Sequence, residues 1–167
     1  MERVRDSVGR VFAGAWFIMG GGRRGARQMV RAAKAAGYVW ALPAALIVYP
    51  LYVLPFAALG YLRWGGIMQN GLGRWIVEPG DNWYARAWNG WGGFSLPWGI
   101  IVRWDLQNDR AIIAHESHHT LRQQHVYGVA FYPVYFIIWM ALRLFTRMDP
   151  YKDHPMEIAA RRAAGQK

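Results

Sequence analysis

Ile112-Ile113-Ala114-His115-Glu116-Ser117-His118-His119-Thr120-Leu121 is a run of helix-compatible residues with an apolar start, and it predicts a buried helix. Within it, His115, Glu116 and His119 match the pattern H-E-x-x-H. At 3.6 residues per turn, histidines four positions apart point within about 40° of each other, so both rings reach one cation. Glu116 is left free to hold a water. Zinc lowers the pKa of a bound water toward about 7, and a carboxylate one position from the first ligand takes its proton as the water attacks a carbonyl. The run therefore predicts a metal-dependent hydrolytic site with His115 and His119 as ligands and Glu116 as general base. The plainer reading of the same residues is a polar helix face whose histidines only cap or meet solvent. His118, three residues from His115, is an alternative partner for a shared ion.

A tetrahedral site asks for a third protein ligand. His125 stands where the longer pattern H-E-x-x-H-x-x-G-x-x-H has its last histidine, but position 122 is Arg rather than Gly. Glycine serves there because the chain leaves the helix in a left-handed conformation that a Cβ makes costly. If the helix simply continues, His125 points about 240° away from His119. Glu157 is the preferred ligand. It lies in His154-Pro155-Met156-Glu157-Ile158-Ala159-Ala160-Arg161, where Pro155 is placed to open a helix with Glu157 in its first turn. A carboxylate that merely favours a helix N-terminus is the plainer account. His154 is a further alternative.

Residues 94–164 resemble small bacterial H-E-x-x-H proteins of the zinc-metallopeptidase type. Three stretches carry the resemblance: Phe94-Ser95-Leu96-Pro97-Trp98-Gly99-Ile100-Ile101-Val102, the motif followed by Gln124 and Tyr127-Gly128, and Asp149-Pro150-Tyr151 leading to Pro155, Glu157 and Ala160. The resemblance implies a metallopeptidase with a gluzincin-like ligand set, in which two histidines and a glutamate hold zinc. It covers somewhat under half of the chain and says little about what is cut.

Composition suggests contact with lipid. Hydrophobic residues make up 54% of the chain, charged residues only 18%, and there are ten Trp and nine Tyr. Residues 38–62 carry no charge until Arg63, enough to cross a hydrocarbon core of about 30 Å, although Pro43, Pro50 and Pro55 would kink it. Residues 126–142 form a second uncharged stretch, broken by Pro133. Were it to cross a membrane, Glu157 would end on the opposite side from His115 and His119, so it is expected to pack back along the motif helix or lie partly in the membrane. Residues 99–104 predict a short strand beside the site, suited to hold an extended substrate.

Charge follows the apolar segments. Eight Lys/Arg stand against Glu2 and Asp6 in residues 1–34, and six against three after Leu142, a distribution that favours anionic lipid headgroups. Val4, Val8, Val11, Phe12 and Met19 sit at helical spacing, opposite arginines, predicting an interfacial amphipathic helix. The net charge of +10 would also suit nucleic acid, but no nucleic-acid motif accompanies it and none is expected as a partner. There are no cysteines, so disulfides are excluded.

The expected organisation is a basic amphipathic segment (1–37), a membrane-embedded segment (38–62), a Trp/Gly-rich connector (63–92) whose tryptophans form an interface belt, and an H-E-x-x-H domain (93–167). The expected fold class is mainly α, with membrane-associated helices, a minimal zincin-like helical site and a short β element. The expected function is hydrolysis of a peptide bond at a membrane, with zinc as cofactor and a peptide or protein as substrate. The competing reading is a structural membrane protein, a component of a larger assembly, in which the motif does not turn over.

Overall fold

A computed structural model describes residues 35–166, so the amphipathic helix expected near the N-terminus lies outside the described residues. Residues 37–167 pack as one compact unit. The protein is mainly α with a β element. Strands β1 (Leu62–Ile67), β2 (Gly73–Val77), β3 (Gly93–Leu96) and β4 (Gly99–Arg103) form one sheet in the order β1-β2-β4-β3. The two hairpins are antiparallel, and β2 pairs with β4 in parallel.

Alternation along the strands gives the sheet two faces. Ile100 and Val102 of β4 join Leu72 and Ile76 in one apolar cluster, against which Ile112 and Ile113 of the motif helix and Leu121 just beyond it pack. Ile101 points the other way and joins Leu62, Val77 and Leu96. Over that second face lie helix α1 (Leu42–Ala58), through Val53, and helix α2 (Trp83–Ala87), through Tyr84. The motif helix α3 (Arg110–His118) starts from Asp109, whose carboxylate accepts from the backbone N–H groups of Ala111 and Ile112. Helices α4 (Phe131–Phe145) and α5 (Pro155–Ala163) complete the chain.

The uncharged run 38–62 differs from the single embedded segment expected of it. Its helix ends at Ala58, Gly60 follows at φ +74°, and Leu62 is already paired in β1. Pro50 and Pro55 are accommodated by a π-turn, Tyr49–Val53; a wider turn relieves the clash of each proline ring with the preceding turn. One face of α1 is packed on the sheet while Leu46, Leu51 and Leu54 are exposed. Residues 63–92, read as a connector, contain β1, β2 and α2. Their tryptophans do not form one belt, since Trp88 is buried and Trp75 packs against the core, while Trp64, Trp83 and Trp91 are exposed.

Among the described residues, one helix, Arg110–Phe145, is long and apolar enough to cross a membrane by length and composition. Its backbone is interrupted. A π-turn runs through His119–Gln124, and Gly128 leaves the helix altogether at φ +56° and ψ −131°. Trp40 lies where a side chain at 128 would go, 2.4 Å from an added Cβ, so both the conformation and the space require glycine.

Candidate metal centre

Two segments 42 residues apart meet at His115 and Glu157. Helix α3 carries His115 and Glu116, and His119 follows at the start of the π-turn, all three buried. Helix α5 opens on Pro155 with Glu157 in its first turn, as its sequence leads one to expect. His115 Nε2 lies 3.1 Å from Glu157 Oε2, and His119 Nε2 lies 3.2 Å from Oε1. The two Nε2 atoms are 3.1 Å apart.

Proton bookkeeping decides what this cluster is suited to hold. His119 Nδ1 donates to the amide oxygen of Gln123 at 2.6 Å, and that amide is oriented by its own Nε2 donating to Met156 O at 3.0 Å. His115 Nδ1 donates to the amide oxygen of Gln166 at 3.1 Å. With both Nδ1 atoms carrying the ring proton, both Nε2 lone pairs face each other and two carboxylate oxygens, so four acceptors converge without a donor among them. A cation satisfies such a set. The spacing suits zinc: bonds of 2.0–2.1 Å to a tetrahedral ion imply ligand atoms about 3.3 Å apart. Among the described residues this is the group of His, Asp and Glu side chains arranged to bind a metal.

Where no cation is bound, a proton takes its place. Burial works to raise the Glu157 carboxyl, but hydrogen bonds with His115 and His119, the His119 charge and the Tyr135 hydroxyl outweigh it and leave it well below the usual carboxylate range. Burial opposes protonation of His119, yet the neighbouring Glu157 carboxylate draws its pKa above the ordinary value. Glu116 takes no part in the ligand triangle. Burial pushes its carboxyl up to about 7, against the opposing pull of His119 and His115.

A folded-state value above the unfolded one means that the native protein holds the Glu116 proton more tightly, so metal-free stability falls as pH rises from about 4.5 to about 7. Glu116→Gln removes that penalty. Chelated Glu116→Gln protein is expected to exceed chelated wild type at pH 8 by on the order of 3 kcal/mol, and to match it near pH 4. Thermal unfolding at the two pH values checks this, and an identical difference at both would refute it.

The other histidines are engaged elsewhere. His154 is fully buried as the N-cap of α5: its Nδ1 accepts from Met156 N, its Nε2 donates to Tyr135 O, and its ring stacks on Tyr135 at 4.1 Å. His125 packs on Gly37 and meets the Tyr38 ring at 4.7 Å. His118 is half-buried on α3 and does not belong to the metal-competent group.

A cavity of about 440 Å³ opens over the three residues. One wall is β3. Gly93 stands where an added Cβ would lie 2.7 Å from Glu116 Cγ, so a glycine there leaves room for the base. The strand expected to flank the site at residues 99–104 is β4, an interior strand with buried residues; the edge beside the cavity belongs to β3. The opposite wall is aromatic, with Phe131, Tyr132, Tyr135 and Trp139 of α4. Tyr135 donates to Glu157 Oε1 at 2.8 Å, and Arg161 and Tyr151 also line the cavity. Burial, then Glu157 and Glu116, push the Tyr151 hydroxyl up to about 12.

Sequence reasoning missed Tyr135, Gln123 and Gln166. Gln123 carried the one available signal, since a residue four positions after His119 on a helix reaches its ring. The other two depend on how α4 and the end of α5 fold back.

No protein-family model matches the chain, and neither a curated protein nor a solved structure is similar to it.

Proposed function

We propose that the protein is a membrane-associated zinc hydrolase that cleaves peptide bonds. The observation that carries this reading is the convergence of both histidine Nε2 lone pairs and the Glu157 carboxylate, with the buried Glu116 beside them but outside the triangle. Zinc bound by His115, His119 and Glu157 would polarise a carbonyl and acidify a water. Glu116 is placed to act as the general base, and would take a proton from such a water and return it to the departing amine. Gln123 and Gln166 hold the two rings in the tautomer that leaves Nε2 free. Tyr135 fixes Glu157 by its hydrogen bond.

The edge of β3 supports a peptide as the substrate. Register pairs Phe94 with Ile101 and Leu96 with Gly99, and Gly92 O accepts from Arg103 N. By antiparallel alternation, the even positions bond β4 while Gly93 and Ser95 turn their N–H and C=O groups outward. Tyr132 donates to Ser95 O. Gly93 is left beside Glu116 to pair with an extended backbone.

Membrane association rests on exposed apolar side chains. Phe136, Ile137, Leu144 and Phe145 of α4 are exposed, Phe145 by 84%, as are Leu46, Ile47, Leu51 and Leu54 of α1. Patches of this kind mark lipid or protein contact. Purified protein is expected to need detergent to stay monodisperse and to float with phosphatidylglycerol-containing vesicles in a density gradient. A clean monomer in buffer that ignores vesicles would overturn the membrane reading alone.

The test of the enzyme is metal content with activity. About one zinc per chain, lost in His115→Ala and His119→Ala, together with zinc-dependent cleavage of a peptide mixture, supports it. A metal-free protein of unchanged fold supports a structural role instead.

A further inference from the structure

A second cavity, of about 510 Å³, lies on the opposite face of the sheet from α3. Its lining is entirely apolar or aromatic, and includes Tyr52 and Phe56 of α1, and Tyr84, Ala87 and Trp88 from α2 and its end. The hydroxyls of Tyr52 and Tyr84 bond each other at 2.9 Å, so the cavity offers no counter-charge and these two polar atoms are already paired. It lies at the edge of the core cluster of that face, and the metal chemistry does not account for it. It shares Trp91, Phe94 and Tyr132 with the cavity over the metal-competent residues.

The sheet geometry relates the two cavities. On β3, Gly93 and Ser95 face α3, as the approach of Gly93 to Glu116 and the hydrogen bond from Gln124 to Ser95 Oγ require. Phe94 faces the other way and packs with the Val53–Tyr84 cluster. A peptide paired along the outer edge of β3 continues the sheet, so its side chains alternate between the same two faces. One residue turns toward Glu116 and the metal-binding residues. Its neighbour must turn toward the aromatic cavity.

We infer that the aromatic cavity between α1 and α2 is the specificity subsite of the hydrolase, and that it accepts one bulky apolar side chain, Phe or a comparable residue, next to the scissile bond. The inference rests on the peptidase reading. Apart from Tyr132, the cavity's walls come from residues 48–94, upstream of the motif. Continuity with the metal cavity and the absence of unpaired charge favour a substrate side chain over a polar group, and burial of a phenyl ring corresponds to a preference of about 10-fold or more.

The experiment uses the zinc-loaded Glu116→Gln protein, which binds without cleaving, and two dansyl-labelled octapeptides differing only in a central Phe or Ala. The Phe peptide is expected to bind at least about 10-fold tighter. Ala87→Trp, an exposed position that faces the cavity, is expected to fill it and to abolish that difference with zinc content and circular dichroism unchanged. Equal affinities, including no binding of either peptide, or a preference that survives Ala87→Trp, overturn the inference. A preference that disappears when phosphatidylcholine vesicles are added also overturns it, and assigns the cavity to an acyl chain. The two readings fail separately. Cleavage by wild type with no Phe preference removes the subsite and keeps the hydrolase, whereas a Phe preference in binding with no cleavage by zinc-loaded wild type removes the hydrolase and leaves a peptide-binding cavity.

Discussion

Glu116→Gln is expected to keep one zinc per chain and to lower peptide hydrolysis by about 10²-fold or more. The amide is isosteric with the carboxylate, so the space beside Gly93 is still filled and α3 stays seated on the sheet. What is lost is the proton acceptor. None of the contacts that align His115, His119 and Glu157 passes through Glu116, which is why metal and turnover should separate. Zinc analysis alongside a single-turnover assay reads both. Loss of metal would make Glu116 a ligand, and undiminished turnover would remove it from the chemistry.

Glu157→Ala should have the opposite signature, with the metal itself released. Losing an outer partner of a ligand typically costs 10–100-fold in metal affinity, so losing a ligand is expected to cost at least about 10²-fold. The change also leaves two buried imidazoles facing each other at 3.1 Å with no carboxylate between them and strands the Tyr135 hydroxyl. Competition with a zinc chelator measures the affinity. His125→Ala provides the contrast, since its ring lies against Gly37 and Tyr38 and its removal should leave zinc binding as it was. A protein that kept its metal without Glu157 but lost it without His125 would reverse the assignment of the third ligand.

How much of this was legible in the sequence differs from element to element. The spacing of His115 and His119 and the position of Pro155 before Glu157 carry local rules, and the three side chains meet in the structure. The return of the chain needed only segment lengths. Most of the sheet was hidden for a physical reason: β1 contains Gly65-Gly66, β2 begins at Gly73 and β3 at Gly93, and glycine suppresses both strand propensity and the alternation that would reveal one. Pro97-Trp98, a two-residue turn with Trp98 at φ +66°, joins the unforeseen β3 to the expected strand at β4. In the uncharged run 38–62, composition did not reveal how the helix divides its two faces. Its charge-free character reflects one face buried on the sheet and another exposed, a distinction that hydropathy does not make. The π-turn that starts at His119 could not be read either, because a widened turn has no sequence signature; it nevertheless brings Thr120 onto Leu96 O and Gly99 O and Gln124 onto Ser95, tying the His115–His119–Glu157 cluster to the hairpin.

The long separation between His115 and Glu157 has a consequence in polymer terms. An ion bound at both ends ties off a loop of 42 residues that contains all of α4, a helix whose buried residue is Phe131 in its first turn. Closing a loop of that length removes chain entropy from the unfolded ensemble worth about 4 kcal/mol if the ion acts as a cross-link does. The ion would thus serve as a clip as well as a reagent, and its removal should let α4 swing and make the already exposed turn at residues 146–153 more mobile and more readily cut by proteases while the sheet remains intact.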